Sequence, residues 1–210
     1  MRRFYLIFMA NLVALSACNS ARRPSDTAFT KAISEYLTRH GAACTVIGRQ
    51  FPIDVPRSEQ SEQFGIRPKL AALEQAGLVQ ATEAIAVVHG MLDPLRGSTP
   101  PQHVERYELT ADGKKYFQQI PERLGQTNGF CYGQKSVESI VNWTEPATVG
   151  MSSQTEVTYT YRIVDAASWA QLPEVQQAFS DIRTTVNGES KTIEVVGLQL
   201  TSKGWEVPGQ

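Results

Sequence analysis

The chain has 210 residues, with 20 basic and 21 acidic side chains and a formal net charge of −1. This length is enough for one large domain or two small ones with a real hydrophobic core. The nearly neutral charge argues against a nucleic-acid-binding protein, because such binding depends largely on neutralising phosphates with basic side chains.

The N-terminus has the organisation of an export signal. Arg2 and Arg3 precede an uncharged run at 4–17. This run is shorter than the roughly 20 residues that a membrane-spanning helix needs. Leucine, serine and alanine lead directly into Cys18, as small residues do at a cleavage site. The sequence therefore predicts a signal peptide over 1–17 rather than a transmembrane helix.

Residues 15–18 resemble the lipobox of bacterial lipoproteins. The resemblance implies cleavage before Cys18, acylation of Cys18 with chains such as palmitate, and anchoring of the mature chain to a membrane through this lipid. Asn19 stands where lipoproteins kept at the inner membrane commonly carry aspartate. The resemblance thus implies an outer-membrane lipoprotein facing the periplasm, with the inner membrane as the alternative, and 18–27 reads as a lipidated polar tether.

Two cysteines remain once Cys18 carries lipid. Cys44 and Cys131 then form an even pair in an oxidising compartment, which predicts a disulfide. This bridge would close a loop of about 87 residues and link the two units predicted below. Two separate buried thiols are the alternative.

The first predicted unit covers 28–124 and begins with helices and short strands. Ser25 or its neighbours can cap a helix that Gly41 ends, and Gly77 follows a second helix with Leu70 and Leu73 on its inner side. The predicted elements are a helix at 28–39, an extended segment at 44–51, polar helical turns at 58–64, a helix at 66–76, a strand at 78–91, a loop at 93–101, a strand at 104–109 and a helix at 111–120 that Thr110 caps.

Residues 70–79 and 107–116 resemble the second half of a winged-helix domain, in which a helix with a glycine stop precedes a β wing and a Y-x-L-T-x-x-G segment. The likeness covers about 28–120. Cytoplasmic relatives bind DNA through the second helix of the motif. Here that helix offers only Arg67 and Lys69, and the export signal removes the protein from the chromosome. We therefore expect the scaffold without the activity.

The second predicted unit covers 125–210 and is antiparallel. Alternation of apolar and polar residues predicts a half-buried strand at 157–163. The other predicted elements are a break at 125–129, a strand at 130–143, a helix at 166–183 that Pro173 splits or kinks, a turn at 185–189, an interior strand at 192–200 and a final strand at 205–207. The fold class is α+β, with a winged-helix-like N-terminal unit followed by an antiparallel α+β C-terminal unit.

Catalytic and metal-binding motifs are missing from the sequence. The three histidines stand alone, and no serine-hydrolase, zinc-protease or phosphate-loop motif occurs, so we expect no catalytic residues, metal or cofactor. A catalytic carboxylate pair of the glycosidase type remains an alternative, because dispersed carboxylates could meet in a cleft of the folded chain. The candidates are Asp54, Glu138, Glu145, Glu156 and Asp165.

Aromatic side chains are concentrated in the second predicted unit. Trp143, Tyr159, Tyr161 and Trp169, together with Trp205, are candidates for an interaction surface, because aromatic residues anchor interfaces at low entropic cost. Packing in the hydrophobic core is the alternative, and the one that we favour.

These features predict a lipid-anchored periplasmic protein of the cell envelope that is not an enzyme. It would serve as an interaction or accessory module, with the membrane as one partner through its lipid and another envelope protein as a second. The alternatives are an envelope hydrolase acting on peptidoglycan or a small molecule, and a lipoprotein that binds a small ligand.

Overall fold

The computed structural model describes residues 22–57, 65–88, 100–122 and 125–209. It mixes helices with strands that pair antiparallel, so the predicted α+β class is confirmed. The described elements are α1 (Asp26–His40), β1 (Ala42–Val46), β2 (Ile53–Pro56), α2 (Ile66–Gln75), β3 (Val79–Ala86), β4 (Gln102–Leu109), α3 (Gly113–Tyr116), β5 (Phe117–Glu122), β6 (Gly125–Trp143), β7 (Ala147–Val149), β8 (Ser152–Val164), a 3-10 turn (Ser168–Gln171), α4 (Pro173–Ala178), α5 (Ser180–Asn187), β9 (Ile193–Thr201) and β10 (Gly204–Glu206).

The chain forms two compact units that interleave along the sequence. The described residues within Met1–Ala42, Gln134–Val164 and Gly188–Gln210 form unit A, and those within Ala43–Gly133 and Asp165–Asn187 form unit B. The predicted signal peptide, the helical turns at 58–64 and most of the predicted loop at 93–101 lie outside the described residues.

Helix α1 provides the helical layer of unit A. The Ser25 hydroxyl oxygen accepts a hydrogen bond from the Ala28 N–H at 3.3 Å, and the helix ends at Gly41, as predicted. Phe29, Ile33 and Leu37 recur at helical spacing and are all buried. The Phe29 ring lies 5.3 Å from the rings of both Trp143 and Trp205, which fixes α1 against the strands of unit A.

The strands of unit A pair in the order β6, β8, β9 and β10, with β7 folded back on β8. The predicted strand around 157–163 is confirmed within β8, where Val157, Tyr159, Tyr161 and Ile163 are buried on one face. The β6–β8 register shifts twice, between Val137 and Ser139 and again between Ile140 and Asn142, as β-bulges do.

Unit B contains a three-stranded antiparallel sheet of order β2, β4, β3. Helix α2 confirms the helix predicted at 66–76 and buries Leu70 and Leu73. Gly77 follows it at φ +73°, a conformation that glycine adopts without steric cost. The Thr110 hydroxyl donates to the Gly77 carbonyl at 2.7 Å, so the chain that leaves β4 is tied to the end of α2.

Unit B also contains most of β1, β5 and the first part of β6, and both β1 and β5 pair with β6. The Cys44–Cys131 disulfide joins β1 to β6, and the predicted pairing is confirmed. Both cysteines belong to unit B, so the bridge lies within one compact unit and does not link two of them. Phe51, Phe117 and Phe130 pack beside it with ring centroids 5.1 to 6.1 Å apart.

The helix predicted at 111–120 is wrong. The chain makes only one helical turn, α3, and then continues as β5, which pairs with β6 from Phe117 opposite Phe130 to Glu122 opposite Gly125. Thr110 still caps the turn, accepting from the Gly113 N–H at 3.0 Å. Cross-strand pairing with β6 outweighs the local helical preference of 117–120.

Three further predictions in the second half need adjustment. The segment predicted as a break at 125–129 is the start of β6, because it pairs with β5. The helix predicted at 166–183 is a 3-10 turn followed by two short helices, and Pro173 occupies the first turn of α4, as expected of a residue that splits a helix. Strand β9 is not an interior strand over its whole length, as described below.

Candidate interaction site

The aromatic residues proposed for an interface lie mostly in the cores of the two units. Tyr159 and Tyr161 are buried in unit A and Trp169 in unit B, each at most 4% exposed. Trp143 is half-buried, and its indole N–H donates to the Asp26 carboxylate at 3.1 Å. Trp205 is also buried. Packing within each unit therefore accounts for these side chains; the Trp169 ring, for example, packs against Phe130 and Tyr132 in unit B.

The other residues considered for chemistry are dispersed. The described residues contain no group of three or more histidine, cysteine, aspartate or glutamate side chains that could hold a metal ion. His40 stacks on Tyr36 at 4.8 Å and His103 is exposed, whereas His89 lies outside the described residues. Cys18 also lies outside them.

The carboxylates considered as a glycosidase pair are either ion-paired or exposed on the surface. Asp54 accepts two hydrogen bonds from Arg106, at 2.7 and 2.8 Å, across β2 and β4. The remaining four are exposed; they are Glu138, Glu145, Glu156 and Asp165.

Strand β9 has an edge that is only partly covered. It pairs with β8 from Ile193 to Gln199, but with β10 only from Gln199 to Thr201. In the described part of the chain, no strand pairs with the side of Ile193–Leu198 that faces away from β8. We call this segment the open edge of β9. An unpaired edge presents backbone N–H and C=O groups that a further extended strand can bind.

The open edge also carries exposed apolar side chains. Ile193 is 56% and Val195 58% exposed, and because strand residues alternate they project from the same face. The next residue on that face is Gly197, where an added Cβ would meet no atom within 4 Å. The described residues of unit A therefore leave the edge and its flanking face accessible.

A polar network holds the other face of the same segment. The Tyr159 hydroxyl donates to a Glu194 carboxylate oxygen at 2.8 Å, and the Lys135 ammonium contacts the second oxygen. The same ammonium lies 4.2 Å from the centroid of the Tyr161 ring. Glu194 follows Ile193 directly, so these contacts fix the position of the open edge against β6 and β8.

Burial keeps the tyrosines of this network protonated. It is the main cause that raises the pKa of Tyr159, and the hydrogen bond to Glu194 raises that pKa further. Burial and the negative charge of Glu194 likewise raise the pKa of Tyr161. Tyr159 therefore remains a hydrogen-bond donor to Glu194 at neutral pH. The arrangement is that of a structural clamp on β9.

A polar cleft of about 360 Å³ opens at the opposite end of β9. Arg39, Thr201, Lys203 and Glu206 line it together with residues 207–209. The Arg22 guanidinium donates to the Thr201 carbonyl at 3.0 Å, which places a further cation at the rim. Sequence reasoning missed this cleft because its residues come from both ends of the chain.

The open edge was also missed, because its own sequence predicts a different kind of strand. Residues 193–198 are mostly β-branched or apolar on both faces, a pattern typical of interior strands. Only the short length of the following strand, Gly204–Glu206, indicates that most of β9 has no second neighbouring strand among the described residues.

Comparison with known proteins gives no identification. No protein-family model matches the chain, and no curated protein or solved structure is significantly similar to it. Among the described residues, no helix is both long and apolar enough to span a membrane.

Proposed function

We propose that this chain is a lipid-anchored protein of the bacterial cell envelope that works as a non-enzymatic interaction module. Lipid on Cys18 holds it on the outer membrane, with the folded part in the periplasm. The observation that carries the interaction is the open edge of β9. No strand of the described residues pairs with this side of β9, one of its faces exposes apolar side chains, and Glu194 holds the opposite face in place.

The proposed anchor is supported by the leader and by the cysteines. Residues 15–18 have the lipobox pattern directly after a short apolar run. Cys44 and Cys131 are joined in a disulfide, a bond that persists in the periplasm and is rare in the cytosol. Export accounts for both features.

The proposed partner is an extended segment of another envelope protein. Such a segment would add to the open edge through main-chain hydrogen bonds and cover Ile193 and Val195 with its own apolar side chains. Strand addition uses the backbone for affinity and alternate side chains for specificity, and the edge offers both.

We also propose that α2 with β2, β3 and β4 forms the winged-helix-like part of the chain and acts as a scaffold. The support is the sheet order β2, β4, β3 and the helix that directly precedes β3. Both basic side chains of α2 are engaged within unit B: Arg67 contacts Glu105 at 3.4 Å, and the Lys69 ammonium lies 5.4 Å from the Phe179 ring centroid.

Site-specific photo-cross-linking in intact cells tests the interaction. A photoreactive side chain replaces Val195 in one variant and Val149 in the control, since the two valines are 58% and 55% exposed. We expect a discrete adduct with another envelope protein from position 195 and none from position 149. In a second step, the photoreactive side chain replaces Ile193. The additional substitution Val195→Lys should abolish the adduct formed from position 193, whereas Val149→Lys should not.

Three outcomes would contradict the proposed interaction. Equal adducts from positions 195 and 149 would show that exposure alone governs cross-linking. Absence of any adduct from 193 and 195 would remove the partner. An adduct only with a second copy of the chain would replace a foreign partner with self-association.

A further inference from the structure

The cleft at the Thr201 end of β9 lies close to the proposed lipid anchor. Only three residues separate Cys18 from Arg22, and a fully extended chain spans at most about 3.6 Å for each of the four residue steps. Arg22 is fixed to the Thr201 carbonyl at 3.0 Å. If Cys18 carries lipid, the rim of the cleft can therefore be no more than about 20 Å from the lipid attachment point, counting the arginine side chain.

The cleft has an excess of positive charge. Among the described residues that line it, Arg39 and Lys203 are basic and Glu206 is the one carboxylate, and Arg22 stands at its rim. Lys203 is exposed and makes no ion pair within the described part of the chain. The Thr201 hydroxyl donates to the Gly204 carbonyl, so the turn that carries Lys203 is held in place.

We propose that this cleft binds the phosphate of a lipid headgroup in the membrane to which Cys18 is attached. The proposal rests on the proposed lipidation, which brings the cleft to the bilayer surface. Guanidinium and ammonium groups are the side chains that bind phosphate, and basic residues next to a membrane anchor are attracted by anionic lipids. The headgroup contact would orient unit A on the bilayer.

The proposed headgroup site and the start of the open edge lie at opposite ends of strand β9. Its nine residues span about 30 Å at the usual rise of a strand. Lys203 follows one end of the strand and Lys191 precedes the other, and both are exposed. With the Lys203 end bound to a headgroup, the opposite end of β9, where the open edge begins, lies about 30 Å from that contact.

Lysine acylation in reconstituted vesicles tests this inference. The full lipidated protein is incorporated into vesicles of phosphatidylcholine, or of phosphatidylcholine and phosphatidylglycerol in equal parts. An amine-reactive reagent is added, and mass spectrometry follows the acylation of each lysine. We expect acylation of Lys203 to slow by about fivefold in the anionic vesicles, as expected for a cation held at an anionic surface, with Lys191 as an unchanged internal control.

The outcomes separate the headgroup contact from the anchor. Failure of the isolated protein to incorporate into either kind of vesicle would refute the lipid anchor, and the inference with it. Incorporation with equal Lys203 rates in both kinds of vesicle would overturn the headgroup contact alone. Equal slowing of Lys191 would also overturn it, because the effect would then be general.

Two further arms identify the source of the phosphate and the role of the cleft. Inorganic phosphate without vesicles should leave the Lys203 rate unchanged; slowing equal to that in anionic vesicles would assign the cleft to a soluble anion and overturn the proposal. Arg22→Gln should reduce the protection of Lys203 in anionic vesicles, whereas Lys191→Gln should not. An undiminished protection in Arg22→Gln would contradict the assigned site.

Discussion

Removal of the Cys44–Cys131 bridge should lower the free energy of unfolding by 4 to 5 kcal/mol at most. The two cysteines are 87 residues apart, and the chain-entropy relation for a closed loop of about that length gives about 4.6 kcal/mol. The paired substitution Cys44→Ala with Cys131→Ala removes the bridge and leaves no free thiol at either position. Both side chains are only half-buried, so little packing is lost with them.

Equilibrium unfolding in urea measures this effect. The oxidised protein, the protein reduced with dithiothreitol and the double alanine variant are compared at the same pH. The reduced protein and the variant should have the same free energy of unfolding to within about 1 kcal/mol, and both should unfold at lower urea than the oxidised protein. The m value should rise, because an unbridged chain expands further when unfolded.

A small change would refute this reasoning. If the double variant loses less than about 1 kcal/mol, then either the bridge does not form or the unfolded chain already holds β1 near β6. Titration of thiols in the denatured, unreduced protein distinguishes these causes, because an unformed bridge leaves Cys44 and Cys131 reactive.

Two further predictions concern unit A and unit B. Tyr159→Phe should cost about 1 to 2 kcal/mol by removing the hydrogen bond to Glu194. The pKa of Tyr159 is raised in the folded state from the usual 10.0, so its full contribution to the free energy of unfolding is present below pH 10 and is lost as the pH rises above 10. In urea unfolding at alkaline pH, the free energy of unfolding of Tyr159→Phe should therefore fall less steeply with pH than that of the unsubstituted protein. An equal slope in the two proteins would contradict this. Gly113→Ala would place a Cβ 1.8 Å from the Leu78 carbonyl oxygen and should cost at least about 2 kcal/mol, whereas Gly197→Ala should cost less than about 1 kcal/mol in the same assay. Equal costs would refute the packing argument.

Local signals in the sequence were sufficient for several elements. Helix α2 was predicted from Leu70, Leu73 and the glycine that follows, since the same residues form its buried face and its stop. Strand β8 was predicted from strict alternation, which survives because one of its faces packs in the core of unit A. The disulfide followed from counting cysteines once Cys18 was assigned to lipid.

Features that depend on distant pairing were not predictable in this way. The segment 117–120 favours a helix locally, but the Phe117 ring packs against Phe130, which lies across the β5–β6 pair, and against Phe51, which is 66 residues earlier in the chain (117 − 51). Tertiary packing of that kind overrides local propensity.

The candidate site could not be predicted for the same reason. Nothing in residues 193–198 indicates how far β10 extends alongside them, and the cleft joins Arg22 and Arg39 to the C-terminal residues. The sequence predicts that 192–200 is an apolar strand, but only the pairing of β9 with β8 and β10 shows which part of that strand forms the open edge.

The N-terminal peptide of the protein isolated from cell membranes tests the central claim most directly. The account predicts, by mass spectrometry, a mature chain that begins at Cys18 and carries a diacylglycerol group and a further acyl chain, and a Cys18→Ala variant that loses this modification and its membrane attachment. An unmodified chain that begins at Met1 and is recovered in the cytosolic fraction would contradict the account.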